Sequence, residues 1–187
     1  MDRIIVLSTP LSTDKLKKLR IGDRVLLNGI VYAARDAAHK RLIELLKAGD
    51  PLPFSIQGQV IYYLGPTPAK PGKPIGAAGP TSSYRMDEYS VPLIEKGLKG
   101  MIGKGARSLI VREAMQTHKA VYFAAIGGAG ALISRSIISA EIIAYPELDT
   151  EAIRKMTVKD FPVIVANDVY GGDLYETGVR SFRTEIV

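Results

Sequence analysis

RVLLNGIVYAARDAAHKRLIELLKA, residues 24–48, holds both halves of the pattern that sets the fold class. Arg24–Ala33 is a largely apolar run with no charge after Arg24, and it reads as a strand. From Asp36 to Ala48 the period changes. Ala38, Leu42, Leu45 and Leu46 recur at helical spacing, while Lys40, Glu44 and Lys47 take the other face.

The same change recurs outward from this stretch. Further strand-like runs lie at Ile4–Ser8, Gln59–Leu64, Val121–Ile126, Ile137–Ala144 and Val163–Val169. Helical patterns cover Ser83–Gly97, where Pro92 bends or splits the helix, and Arg107–His118. Alternating strands and helices predict an α/β domain. The long early strands and the late strand pair predict a β layer beyond a simple doubly wound sheet. Pro66–Pro74, with four prolines and Gly72, predicts a stiff exposed loop that either borders a site or joins two strands. Residues 1–187 are expected to form one domain.

Composition narrows the function classes. The 187 residues are 47% hydrophobic and 24% charged, as in ordinary globular proteins. The N-terminal apolar run is too short for a signal peptide, and Gly127, Gly128 and Gly130 interrupt the longest uncharged stretch. A cytoplasmic protein without a membrane span is expected. Cysteine is absent, which excludes disulfides, a thiol nucleophile and any thiolate-held cluster on this chain. His39 and His118 alone cannot close a zinc site, so no metal site is expected here. The net charge of +6 favours anionic partners, but the basic residues are scattered and no nucleic-acid motif appears. The densest run, Lys15, Lys17, Lys18 and Arg20, reads as a solvated helix face.

Three segments combine cations with hydroxyls or glycines, each at a junction between elements. In Ala34–His39, Arg35 and His39 project from one face of the first helical turn, with Asp36 favoured by the helix dipole. Alone, this segment reads more readily as a capped helix with an Arg–Asp surface pair than as a site. In Gly79–Asp87, Gly79-Pro80 sets a sharp turn, and Thr81, Ser82 or Ser83 can cap the helix that follows. Arg85, one turn in, offers a planar fork suited to a carboxylate. In Gly103–Ser108, two glycines flank Lys104 without the spacing of a phosphate-binding P-loop. Together these residues suit a small dicarboxylate better than a polyphosphate, since no magnesium-holding carboxylate pair accompanies them.

The ordered set Ala34–His39, Gly79–Asp87 and Gly103–Ser108 resembles the C-terminal domain of class I fumarases and the β subunit of tartrate dehydratase. Gly79-Pro80-Thr81-Ser82-Ser83-Tyr84-Arg85-Met86-Asp87 is its most specific element. The likeness extends through Gly22-Asp23-Arg24-Val25 and Phe161-Pro162-Val163-Ile164-Val165. Ser82 replaces a more usual threonine, and Tyr84 stands where a smaller residue is frequent. Ala106-Arg107-Ser108 looks more like the fumarase pattern than the tartrate dehydratase one.

The resemblance implies a swivelling β/β/α domain that closes over a separate α subunit, giving a hetero-oligomer. That partner is expected to hold a [4Fe–4S] cluster through three cysteines. The expected reaction is reversible hydration of fumarate to malate, with tartrate as the alternative substrate and a non-catalytic anion-binding module as the alternative role. The resemblance places Arg35, Arg85 and Lys104 on the substrate carboxylates. Thr81 is the expected proton carrier, His39 a relay or a support for Arg35 that Asp36 fixes, and Ser82 and Asp87 stand behind these groups.

Overall fold

The computed structural model describes residues 4–183. Its strands are β1 (Ile4–Ser8), β2 (Arg24–Ala33), β3 (Val60–Tyr62), β4 (Gly100–Gly103), β5 (Val121–Ala124), β6 (Ile137–Ala144) and β7 (Ile153–Asn167). Its helices are α1 (Thr13–Leu16), α2 (Asp36–Ala48), α3 (Asp87–Glu95), α4 (Leu109–His118), α5 (Gly130–Ile133) and α6 (Leu174–Phe182). Short 3-10 turns cover Ser83–Met86, Ser134–Ser136 and Pro146–Glu151.

Strands β2, β3, β4 and β5 run parallel in that order. Strand β7 pairs antiparallel with β5 on one side and with β2 on the other, which closes the sheet into a barrel-like ring. Strand β1 extends the sheet beside the first half of β2, and β6 beside the first half of β7. The β layer beyond a doubly wound sheet is therefore this ring and its two flanking strands.

Side-chain alternation divides the core in two. Leu27, Val31, Tyr62, Ile102, Phe123, Met156 and Phe161 point into the barrel. Tyr32, Ile61, Tyr63, Met101 and Tyr122, their sequence neighbours, point outward and are covered by Leu42 of α2, Leu93 of α3 and Val111 and Met115 of α4.

Three differences from the sequence reading shape the sheet and the site; elsewhere β3, β5 and α4 are shorter than expected, and α6 carries no expectation. Strand β4 was not expected: only Met101 and Ile102 are apolar between its glycines, and it is a strand because β3 and β5 pair with it on both sides. Strand β7 begins at Ile153, not Val163, because Arg154, Lys155, Lys159 and Asp160 dilute its apolar signal. The expected helix Ser83–Gly97 divides between Met86 and Asp87, while Pro92 sits inside α3. Lys15, Lys17, Lys18 and Arg20 are all exposed, but they do not form a helix face: α1 ends at Leu16 and contains only Lys15.

Candidate active site

The parallel strands bring the three basic segments to one edge of the barrel, outside the carboxyl ends of β2, β3 and β4, where open α/β sheets commonly bind ligands. Arg35 follows β2 and Lys104 follows β4. Between them the chain past β3 separates, and Thr81 wedges in. Its amide donates to the Tyr63 carbonyl at 2.8 Å, its carbonyl accepts from the Lys104 amide at 3.3 Å, and the Ser83 amide donates to the Lys104 carbonyl at 2.9 Å. Backbone hydrogen bonds thus fix Thr81, Ser82 and Lys104 side by side. Among the described residues, neither the Thr81 hydroxyl nor the Lys104 ammonium has a side-chain partner.

Asp36 joins the other two cations. Its Oδ2 lies 3.0 Å from Arg35 Nε and its Oδ1 lies 2.8 Å from Arg85 Nε. Both guanidiniums are therefore held by the nitrogen nearest the stem. Among the described residues their terminal Nη atoms form no hydrogen bond or ion pair. Gly65 lets Arg35 lie flat: a Cβ there would stand 2.8 Å from Arg35 Nη1. Burial pushes the Asp36 carboxyl up, but its own backbone amide, the Arg35 hydrogen bond and the Arg85 and Arg35 charges outweigh this and hold it below the usual carboxylate range.

His39 lies beneath this face with no exposed surface. Its Nδ1 is 3.0 Å from the Arg35 carbonyl. A carbonyl only accepts, so the proton is on Nδ1 and Nε2 carries a bare lone pair. Nε2 has no partner, and the ring packs edge-on against Tyr63 at 5.3 Å. Burial lowers its pKa to about 4, aided by the Arg107 charge and resisted by the Arg35 carbonyl and Asp36. The structure brings Arg35, Asp36 and Arg85 into one cluster, sets Thr81, Ser82 and Lys104 on the adjoining strand ends, and leaves His39 inside.

A family model described as "Fumarase C-terminus" matches residues 1–178. The chain belongs to the fumarase C-terminal family.

Its relatives include the anaerobic class I fumarate hydratase of Escherichia coli (strain K12), 40% identical over 165 residues that cover 87% of this chain and 30% of that protein. A putative class I fumarate hydratase of Geobacillus stearothermophilus is 35% identical over 179 residues, covering 93% of this chain and 34% of that protein. The putative L(+)-tartrate dehydratase subunit beta of Methanocaldococcus jannaschii is 36% identical over 172 residues, covering 89% of this chain and 88% of that protein. The chain thus spans about 30% of the length of the fumarate hydratases it matches first.

Two further residues organise the site in this fumarase C-terminal fold. Glu151 comes from the connection between β6 and β7. Its Oε2 accepts from the Ala37 amide at 2.7 Å, capping the first turn of α2, and its Oε1 lies 3.3 Å from Arg35 Nε. No local signal marks it, since it reaches its partner from far along the chain.

Arg107, at the end of the Lys104 segment, is the second. Its side chain is buried, with Nε donating to Asp87 Oδ1 at 2.7 Å, Nη2 to Ser90 at 2.7 Å and Nη1 to the Tyr63 hydroxyl at 3.2 Å. Asp87 Oδ2 accepts from the Ser108 amide at 2.7 Å. Asp87 thereby ties the start of α3, which follows Arg85, to the segment that carries Lys104. Tyr122 adds a second tie: its hydroxyl donates to the Gly105 carbonyl at 2.9 Å and accepts from Ser83 at 2.8 Å. Tyr84 is 69% exposed.

Proposed function

We propose that this chain is the β subunit of a two-subunit hydro-lyase that interconverts malate with fumarate and water, and that it swivels over a cluster-bearing α subunit to complete the site. The observation that carries the reading is the Asp36 clamp. A carboxylate that holds two arginines at Nε leaves the Nη nitrogens of both without a hydrogen-bond partner among the described residues, and a guanidinium can offer these to a carboxylate. Lys104 adds a third positive charge on the same edge. A planar dianion satisfies that array.

The chain's own residues do not fit an iron–sulfur cluster. It contains no cysteine, and the described residues include no group of three or more His, Asp or Glu side chains placed to hold a metal ion. The [4Fe–4S] cluster implied by the family likeness is therefore assigned to the α subunit.

What remains to this chain is charge and a proton. In dehydration, the proton on the carbon next to one carboxylate is removed and its bonding electrons shift toward that carboxylate; they then form the double bond as the C–O bond on the neighbouring carbon breaks and the hydroxyl departs, protonated to water. Arg35, Arg85 and Lys104 stabilise this developing dianion more than the substrate, which lowers the barrier. Thr81 takes the proton. An alcohol is a poor base, and the neighbouring cations favour its alkoxide. His39 acts as a positioning residue through the Arg35 carbonyl. Ser82 and Asp87 support the Thr81 and Lys104 segments.

Tartrate is the second reading, favoured by the close match in extent to the relative named as a tartrate dehydratase β subunit. Rates of the assembled pair with L-malate and with L-tartrate separate the two. Preference for malate supports fumarate hydratase, and preference for tartrate replaces it. Turnover of neither by a cluster-loaded pair reduces the chain to an anion-binding module.

A further inference from the structure

A basic cavity of about 600 Å³ lies apart from the site described above, and none of Arg35, Thr81, Arg85 or Lys104 lines it. Its size falls within the ~300–1,000 Å³ of small-molecule sites. One wall is the proline-rich loop after Gly65, the other the segment around Ser134 and Arg135. Buried Ile75 and Ile137 line its apolar part.

The loop wall is built to place charge. The Lys73 amide donates to the Lys70 carbonyl at 3.0 Å, closing a turn with Pro71 and Gly72 at its centre. Gly72 has a φ of 74°, the backbone a type II turn requires at that position. Lys70 and Lys73 are the ends of this turn, so the backbone sets their stems side by side at the cavity. Arg135 adds a third from the opposite wall. The loop base is tied by the Thr67 amide donating to the Ala77 carbonyl at 3.2 Å and the Ala77 amide donating to the Thr67 hydroxyl at 2.8 Å. The Ala78 amide reaches the Gly130 carbonyl at 3.0 Å, joining the two walls.

No carboxylate lines the cavity, and among the described residues Lys70, Lys73 and Arg135 form no ion pair. Three exposed cations lining one cavity on a tethered frame, with no carboxylate among the lining residues, suit an anion of more than one charge. We propose that this cavity binds a small multianion, an acid bearing two or more carboxylate or phosphate groups, at a second site. Ala77, one of its lining residues, stands two positions before Gly79–Thr81 in the chain. The proposal does not rest on the hydro-lyase reading.

Calorimetric titration of the full chain with pyrophosphate and with propane-1,2,3-tricarboxylate tests it, with acetate as the single-charge control. At least one multianion is expected to bind and acetate not to. The double variant Lys73→Ala/Arg135→Ala is expected to weaken binding about tenfold or more, as loss of charge-assisted bonds does. Arg85→Ala is expected to leave it unchanged, and the multianion that binds identifies carboxylate or phosphate as the preferred group. No binding of either multianion, binding unaffected by the double variant, or binding abolished by Arg85→Ala overturns the proposal. Circular dichroism of both variants confirms that the fold is intact.

Discussion

Arg85 meets Asp36 through Nε and keeps its Nη pair for a ligand. Lysine has one ammonium and would spend it on Asp36. Arg85→Lys is therefore expected to lower kcat/KM of the assembled enzyme by about tenfold or more, although charge is preserved. Wild-type kinetics from this variant would make Arg85 a surface residue. Thr81→Val should keep the fold and much of the substrate affinity while cutting the rate by about 10²–10⁴. His39→Asn should cost less. Exchange of the malate C3 proton with solvent decides between them: survival in Thr81→Val with loss in His39→Asn reverses the two roles. His39 also predicts a pH dependence of stability. Its folded pKa of about 4 lies below the unfolded value of 6.5, so below neutrality the unfolded chain binds the extra proton. Stability is full above pH ~6.5 and falls by at most ~1.4 kcal/mol per pH unit as pH drops toward 4. Urea unfolding across that range should show a shallower slope in His39→Asn, and an unchanged slope rules out His39 as its source.

At the scale of elements, Asp87 links α3, α4 and the Lys104 segment. Asp87→Ala strands the buried Arg107 charge, and loss of one partner from a buried pair costs on the order of 3 kcal/mol. Chemical denaturation should show that loss, with a structural change reaching Lys104; a loss of a few tenths would mean that water replaces the carboxylate. The same elements show what the sequence makes legible. Strand β2, helix α2 and strand β6 carry their own periodicity and stand where the residues put them. Strand β4 owes its conformation to its neighbours, and the first half of β7 hides its buried Met156 and Val158 among charges. In the site, Arg35, Thr81, Arg85 and Lys104 declare themselves by chemical type at element junctions. The Asp36 clamp and Glu151 do not, because they depend on contacts made only when β2, α2 and the β6–β7 connection come together.

At the scale of the whole molecule, the proposed division of labour between two subunits makes a prediction of its own. The purified chain is predicted to be colourless and without hydro-lyase activity, and anaerobic mixing with a cluster-loaded α subunit should give turnover. Substantial activity from the chain alone contradicts the division of labour. No helix among the described residues is long and apolar enough to cross a membrane. The ring that carries the site closes by pairing β2 with β7, from Arg24 with Ile164 to Ala33 with Arg154, residues near opposite ends of the described chain. Contacts so distant in sequence slow folding, because loop entropy is lost before they form. A growing polypeptide therefore completes β1 through β5 with the seam still open. Only when β7 leaves the ribosome can the barrel shut and fix the strand ends that hold Arg35, Thr81 and Lys104.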